Sequence, residues 1–189
     1  MSTLLLATLI TIEAALPNGP RLLDFSSAEC AEDWYAISDS VMGGVSSGRI
    51  TWTGEGTVTF EGRVSLENNG GFASVRSRPR PLDLSRYDGL RLRVRGDGHR
   101  YKINFKTDDS FDGLLYRAVF DTQPGRWQTI VIPFSAFEPT YRGRVVENSP
   151  ALDLSRVRSL GLMISDKQSG PFALEIDWID AFSDSSGGS

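Results

Sequence analysis

The sequence predicts an all-β protein, an antiparallel β-sandwich of jelly-roll type. Apolar and polar residues alternate with a period of two in many segments, as in Leu90, Leu92 and Val94, which arginines separate. Strict alternation indicates strands with one buried and one solvated face. Turn-forming Gly, Asn and Pro separate roughly ten such runs, and no long segment shows the 3.6-residue period of a helix. Short strands at this spacing favour a sandwich.

The strand candidates follow one another along the chain. They cover residues 48–52, 57–60, 63–66, 72–76, 90–95, 101–106, 114–120, 127–134, 159–165 and 172–179. Turn signals such as Asn68-Asn69-Gly70-Gly71 lie between them. We interpret Gly96-Asp97-Gly98 as a hairpin turn that leaves His99 in solvent.

The chain length fits one domain, which we place at residues 22–182. Residues 1–21 form an N-terminal arm or short helix in this interpretation, and the Ser/Gly-rich residues 183–189 form a disordered tail. The apolar run 4–12 has no preceding Lys or Arg and is too short to span a bilayer. A degenerate signal peptide is the alternative. The first arginine is Arg21, so we expect no mitochondrial presequence.

Composition argues against several kinds of site. The net charge of −4 disfavours nucleic-acid binding. One cysteine, Cys30, and one histidine, His99, exclude a disulfide within the chain and the usual zinc sites. We therefore expect no cofactor, no metal and no enzymatic activity. Two alternatives are a Ca²⁺ site at Asp108, Asp109 and Asp112, and a glycosidase pair of acids at Glu175 and Asp177, which share a face if the strand is regular.

One short sequence occurs twice. LDLSR begins at Leu82 and again at Leu152, and apolar residues follow at the same offsets. We expect two strands that enter the sandwich through the same turn, in which Asp83 or Asp153 caps a helical turn.

Two glycine-rich loops are the leading candidate for a partner-binding site. Glycine pairs allow close approach of another group, and the surrounding Met and aromatic residues can anchor a protein contact. The proposed residues of these loops are Trp34, Asp39, Met42, Gly43, Gly44, Asn69, Gly70, Gly71 and Phe72. In the alternative interpretation Trp34 and Phe72 belong to the core and the glycines only serve the turns.

A basic strand face is the second candidate, and Arg117 joins the proposed partner-binding residues through it. The cations that could lie in register, with Asn104 among them, are Arg91, Arg93, Lys102, Lys106 and Arg117. Such a stripe could attract acidic protein segments, phosphates or RNA. The alternative is a solvated sheet face without a ligand.

Five segments together resemble the complex I intermediate-associated protein 30 family. They are WYAISDSVMGGVSSG, NNGGFASVRS, DLSRYDGLRLRVRGDGHRY, PFSAFEPTYRG and LMISDKQSGPFALEIDWI. The resemblance covers about residues 23–182 and implies a galactose-binding-like jelly roll. It also implies a role in assembling the respiratory NADH:ubiquinone oxidoreductase or, in related proteins, photosystems. No G-x-G-x-x-G lies between a strand and a helix, so we expect no fused reductase-like domain here.

We therefore expect a non-catalytic module that binds a protein subunit or assembly intermediate of a membrane complex. The location expected is cytoplasmic, with a soluble bacterial or organellar compartment as the alternative. Peripheral membrane association is compatible with this expectation. The competing function is a carbohydrate-binding module that stacks a sugar on exposed aromatics. Its candidate residues are Trp52, Tyr116, Trp127 and Tyr141.

Overall fold

The computed structural model describes residues 19–38, 45–110 and 112–183. In chain order the strands are β1 (Arg21–Asp24), β2 (Trp34–Ser38), β3 (Ser47–Trp52), β4 (Val58–Val64), β5 (Ala73–Ser77), β6 (Gly89–Arg95), β7 (Arg100–Lys106), β8 (Leu115–Asp121), β9 (Trp127–Pro133), β10 (Glu138–Tyr141), β11 (Arg144–Val145), β12 (Ser159–Ile164) and β13 (Gly170–Phe182). A short helix, α1 (Glu29–Glu32), follows β1, and 3₁₀ turns occur at Glu67–Asn69, Phe134–Ala136 and Leu154–Arg156.

The strands form two antiparallel sheets. The six-stranded sheet has the order β3-β4-β13-β6-β9, with β1 beside β13. The seven-stranded sheet has the order β11-β10-β8-β7-β12-β5-β2. This arrangement confirms the predicted jelly-roll sandwich. Of the described residues, none belongs to a helix long and apolar enough to cross a bilayer.

Two local predictions about strands were wrong. The runs 57–60 and 63–66 form a single strand, β4, which continues through Gly62. A Cβ at Gly62 would lie 2.0 Å from the carbonyl oxygen of Ser47, so the glycine lets β3 approach closely rather than ending the strand. The segment Gly96-Asp97-Gly98 is not a hairpin turn, because β6 and β7 lie in different sheets. It is a crossover, and His99 is half-buried there.

The core lies between the two sheets and is rich in aromatic rings. The ring centroids of Phe60 and Phe172 are 4.9 Å apart, and Tyr101 is fully buried beside them. The Tyr101 hydroxyl donates to Asp97 Oδ1 at 3.0 Å. Burial and the charge of Asp97 raise the pKa of Tyr101 well above its ordinary value. Asp97 also accepts from Ala173 N at 2.7 Å, which ties the crossover to β13.

The repeated LDLSR segments pair with each other. Leu82 N donates to Val157 O at 2.9 Å, and Leu84 N donates to Leu154 O at 2.8 Å. Asp153 Oδ1 accepts from the N–H of Ser155 at 3.1 Å, and Asp83 makes the equivalent bond within its own copy at 3.0 Å. The turns lead into β12 and β6 respectively, one in each sheet. The predicted cap of a helical turn is confirmed at Asp153, whereas Asp83 makes the same bond in a turn that is not helical. The repeat serves to join the two sheets.

Candidate partner-binding site

The candidate site is the side of the seven-stranded sheet that faces away from the core, which we call the polar face. Along β7, Tyr101, Ile103 and Phe105 belong to the core. Because side chains alternate along a strand, the intervening residues lie on the opposite side. Applied to the neighbouring strands, this places on the polar face Tyr35, Ser74, Arg76, Lys102, Asn104, Lys106, Arg117, Val119, Glu138, Ser159, Gly161 and Met163.

One row of residues crosses the middle of the polar face. Backbone register pairs Glu138 with Arg117, Arg117 with Asn104, and Asn104 with Gly161. It then pairs Gly161 with Arg76 and Arg76 with Tyr35. The row spans six strands, so residues far apart in the sequence become neighbours on one surface.

Three cations and one amide on this face are buried. Lys102 is 7% exposed, Lys106 2%, Arg117 8% and Asn104 4%. Lysine and arginine are rarely buried this deeply without partners, because removing a charge from water is costly. These residues therefore do not form the solvated sheet face considered as an alternative.

Lys102 is balanced by the turn after β12. Its Nζ donates to Ser165 Oγ at 2.7 Å and to Asp166 Oδ1 at 2.5 Å. Burial opposes ionisation of Asp166, but the hydrogen bond and charge of Lys102 hold the pKa of this carboxyl below its ordinary value. Asp166 and Lys167 both have positive φ angles, 63° and 59°, which are uncommon for residues other than glycine. The turn is thus shaped to place a carboxylate over Lys102.

Lys106 is balanced at the opposite end of β7. Its Nζ donates to Ser110 Oγ at 3.1 Å and lies 3.2 Å from Asp108 Oδ1. Burial opposes ionisation of Asp108, but the hydrogen bonds from Ser110 and Lys106 hold the pKa of this carboxyl below its ordinary value.

The two other acids considered for Ca²⁺ have separate basic partners. Asp109 Oδ1 accepts from Arg158 Nε at 2.8 Å, and Asp112 Oδ2 accepts from Arg142 Nη2 at 3.0 Å. No group of three or more His, Cys, Asp or Glu in the described ranges is placed to hold a metal ion. Asp108, Asp109 and Asp112 therefore each pair with a basic side chain and hold their loop in place.

Arg117 differs from the two lysines. Its Nε donates to Asn104 Oδ1 at 3.1 Å. Within the described part of the chain the Arg117 side chain makes no other hydrogen bond. No described carboxylate lies within 4.0 Å of its guanidinium nitrogens. Burial lowers the pKa of Arg117, and the charge of Asp166 partly opposes that shift. An arginine nevertheless stays charged at neutral pH, so the polar face contains a buried guanidinium without an anionic partner.

The predicted basic stripe is divided between the two sheets. Arg91 and Arg93 lie on β6 in the six-stranded sheet, away from Lys102, Lys106 and Arg117. The Arg93 guanidinium lies over the ring of Trp127 at 5.6 Å. The prediction of a single stripe was wrong because alternation reveals which face a residue occupies but not which sheet its strand joins.

The first glycine-rich loop begins beside the end of the second. Ser38, at the end of β2, pairs with Ala73, at the start of β5. Gly70, Gly71 and Phe72 are half-buried just before β5, and the backbone of Asn69 lies in the preceding 3₁₀ turn. Gly71 has a φ of 135°, an angle that favours glycine. Four of the predicted residues lie outside the described residues, namely Asp39, Met42, Gly43 and Gly44.

The apolar residues near these loops fall into two classes. Trp34 is 8% exposed and belongs to the core, so it offers little area to a partner. Val45 and Leu66, which were not singled out from the sequence, are 54% and 47% exposed. Ser46 Oγ donates to Ser65 O at 3.1 Å and holds their two segments together. Val45 and Leu66 each lie beside one of the glycine-rich loops, and this position is the sequence feature that could have identified them.

One of the two acids considered for glycoside hydrolysis has a basic partner. Glu175 accepts from Arg95 Nε at 2.9 Å and from Thr57 Oγ1 at 2.8 Å. The register of β13 shifts between Ile176 and Trp178, next to Asp177. The hydrogen bonds to Glu175 argue against its use as a free catalytic acid.

The aromatic residues considered for sugar stacking are mostly engaged elsewhere. Tyr116 is 4% exposed and belongs to the core, and Trp52 donates from Nε1 to Phe25 O at 3.0 Å. Trp127 lies beneath an arginine of β6, and Tyr141 is 40% exposed at the end of β10. Tyr35, which is 38% exposed, is an aromatic residue on the polar face that was not considered for this role.

A family model described as complex I intermediate-associated protein 30 (CIA30) matches residues 23–176. The chain belongs to the CIA30 family. The match includes the glycine-rich loops and every residue of the polar face, so the resemblance based on loop motifs is confirmed.

Curated relatives agree with this CIA30 assignment. The mitochondrial complex I intermediate-associated protein 30 of Mus musculus is 33% identical over 192 residues, covering 91% of this chain and 58% of the relative. Its counterpart from Drosophila melanogaster is 31% identical over 180 residues, covering 84% of this chain and 61% of the relative. The chain thus spans about three fifths of the length of these relatives.

Solved structures similar to this CIA30 chain confirm its fold. The family 11 carbohydrate-binding module of the cellulosomal cellulase Lic26A-Cel5E of Clostridium thermocellum aligns with a TM-score of 0.65 at 21% identity. The alignment covers 90% of this chain and 97% of the module. The agarase AgWH50C aligns with a TM-score of 0.61 at 15% identity, over 88% of this chain and 25% of the agarase. At these identities the likeness concerns the fold alone.

Proposed function

We propose that this CIA30-family chain binds an unassembled subunit or an assembly intermediate of a respiratory or photosynthetic membrane complex, without catalysing a reaction. Membership of the family carries the proposal, since the curated relatives are named as complex I intermediate-associated proteins. Those relatives are named as mitochondrial, which favours a bacterial or organellar compartment next to such a complex.

The binding surface we propose combines the polar face with the adjacent glycine-rich loops. The loops contribute Asp39, Met42 and Phe72, and the exposed Val45 and Leu66 add apolar area beside them. Apolar anchors surrounded by polar groups are typical of protein interfaces. On the polar face Arg117, which has no carboxylate within 4.0 Å in the described part of the chain, supplies a charge that a complementary partner can match, and such complementarity contributes specificity.

The first test is deletion of the gene in its native host, followed by native gel electrophoresis of the membrane complexes. We expect a subassembly to accumulate and the mature complex to decrease. An unchanged complex profile would contradict the proposed function. Saturable binding of the purified protein to a glycan array, with quenching of Trp fluorescence, would instead support the carbohydrate-binding alternative.

The second test uses a loop variant and a matched control. Met42→Asp should abolish co-purification of the membrane-complex subunit, because a buried unpaired carboxylate at an apolar contact is costly. Val131→Asp makes a comparable change at a residue that is 57% exposed on β9 in the other sheet, and it should leave co-purification intact. Both variants should keep a melting temperature within about 5 °C of the parent. Retention of the subunit by Met42→Asp would exclude this loop from the interface.

A further inference from the structure

We propose that Arg117 is the anchor for one carboxylate of an acidic side chain in the partner protein. The inference rests on the proposed function, which it makes specific by naming the chemical group that the polar face recognises. Arg117 lies on β8, near the middle of this face. In the row across the face its neighbour is Asn104, and Gly161 follows Asn104.

The first reason is the difference between Arg117 and the other buried cations. Lys102 contacts Asp166, and Lys106 contacts Asp108. Arg117 is as deeply buried as Lys102, yet no carboxylate in the described part of the chain, including that of its cross-strand neighbour Glu138, lies within 4.0 Å of its guanidinium nitrogens. A buried charge requires a partner of opposite charge to offset its desolvation. A partner protein that supplies a carboxylate would provide it.

The second reason is the orientation of the guanidinium group. Asn104 Oδ1 accepts from Nε, which fixes the plane of the group and leaves both Nη groups available. Parallel N–H bonds from an arginine match the two oxygens of a carboxylate. On the side of Asn104 that faces away from Arg117, the next position in the row is Gly161, which has no side chain. An ideal Cβ there would lie 3.8 Å from Asn104 Nδ2, so the missing side chain leaves a second donor uncovered on that side.

The third reason concerns the amount of charge that the site can accept. Lys102 and Lys106 already have carboxylate partners, and Arg117 has none within 4.0 Å in the described part of the chain. One carboxylate would supply that single missing charge. A phosphate dianion or a nucleic acid would add further negative charge to a face that already holds Asp108 and Asp166.

The row across the face also sets the size of the bound segment. Arg117 and Tyr35 are separated by four strand spacings, which is about 19 Å. An extended segment of about six residues covers that distance. One acidic residue at Arg117 and an apolar residue at the exposed ring of Tyr35 would fit such a segment.

A titration with small carboxylates tests the site directly. The probe is N-acetyl-aspartate methylamide, added to the ¹⁵N-labelled full chain while the Nε–H signal of Arg117 is followed by NMR. We expect a saturable shift of that signal, with no shift at Arg126, an exposed arginine in a turn. N-acetyl-asparagine methylamide, the neutral control, should have no effect. Absence of a saturable shift overturns the proposal, and so does a response to inorganic phosphate or glucuronate in preference to the aspartate derivative.

Two variants extend the test to the co-purified subunit. Arg117→Met should weaken its binding by about 30-fold or more, whereas Arg126→Met should change it by less than about twofold. Arg117→Lys keeps the charge but loses the planar fork, so we expect an intermediate loss. Equal binding of Arg117→Met and the parent protein would overturn the proposal.

Asn104→Asp keeps the inference testable if Arg117→Met fails to fold. It places a carboxylate of the same size where Asn104 Oδ1 already lies 3.1 Å from Arg117 Nε. The chain then neutralises its own guanidinium, so we expect an unchanged fold and loss of the aspartate response. A retained response overturns the proposal. If Arg117 responds to the carboxylate but gene deletion leaves every complex intact, the proposed function fails and this site stands. If the subunit binds independently of Arg117, the reverse holds.

Discussion

Asp97 provides the sharpest test of how the two sheets are joined. Its carboxylate accepts from the Tyr101 hydroxyl at 3.0 Å, from His99 N at 3.1 Å and from Ala173 N at 2.7 Å. In Asp97→Ala the fully buried Tyr101 hydroxyl would lose its acceptor, at a cost of about 1–3 kcal/mol. Each of the two N–H groups would add about 0.5–1.5 kcal/mol. We expect a loss of about 4 kcal/mol in the free energy of unfolding.

Urea unfolding followed by circular dichroism measures this loss as a lower midpoint with an unchanged slope. Tyr101→Phe removes the hydroxyl that Asp97→Ala leaves unsatisfied. The double variant should therefore be about 1–3 kcal/mol more stable than the sum of the single losses predicts. Additive losses, or a loss below about 1 kcal/mol for Asp97→Ala, would refute the reasoning from hydrogen bonds.

Asp97 also gives a prediction about pH. Burial opposes its ionisation, but the hydrogen bonds from Ala173 and His99 hold its pKa below the ordinary value. A lowered pKa in the folded state contributes stability above the ordinary pKa, and that stability is lost as the pH falls through the lowered value. Between about pH 4 and pH 2 the parent protein should therefore lose more stability than Asp97→Ala. Parallel curves for the two proteins would contradict the assignment.

Two further predictions concern single carboxylates. Asp153→Ala should lower the free energy of unfolding by about 1 kcal/mol, because it removes the cap of a 3₁₀ turn, whereas Asp153→Asn should be nearly neutral in the same urea experiment. Asp166→Asn should cost about 1 kcal/mol at neutral pH, since Asp166 is half-exposed and its partner Lys102 keeps a hydrogen bond to Ser165. Because the pKa of Asp166 is lowered, this difference should vanish in acid, and a difference that persists at pH 2 would contradict the ion pair.

The polar face combines a rigid sheet with groups that an isolated sheet would leave in water. The strands that form this face pack their other side into the core. The register of these strands therefore cannot shift without exposing core residues. The acids that pair with its lysines lie in turns at the two ends of β7. The charged groups are therefore held in fixed positions, as the proposed binding of a partner protein requires.

The strands that alternation predicted are those with the most regular pattern, such as β6, β7 and β13. Four strands were not predicted, namely β1, β2, β10 and β11. All four have at most five residues, which is too short for alternation to be detected, and β10 contains a proline. Three of them, β2, β10 and β11, lie at or next to an edge of the seven-stranded sheet. Hydrogen bonds from neighbouring strands stabilise them, and those neighbours come from distant parts of the chain.

The candidate site divides in the same way. The glycine-rich loops, the basic residues of the strand faces and the family were all identified from the sequence, because each is a local pattern of residue types. The sequence could not show that Arg91 and Arg117 face opposite sides of the molecule, that Trp34 is buried, or that Lys102 meets Asp166. Those facts depend on strand pairing between distant segments. Strand pairing brings the turn with Asp166 to Lys102, whereas it places no described carboxylate within 4.0 Å of the Arg117 guanidinium.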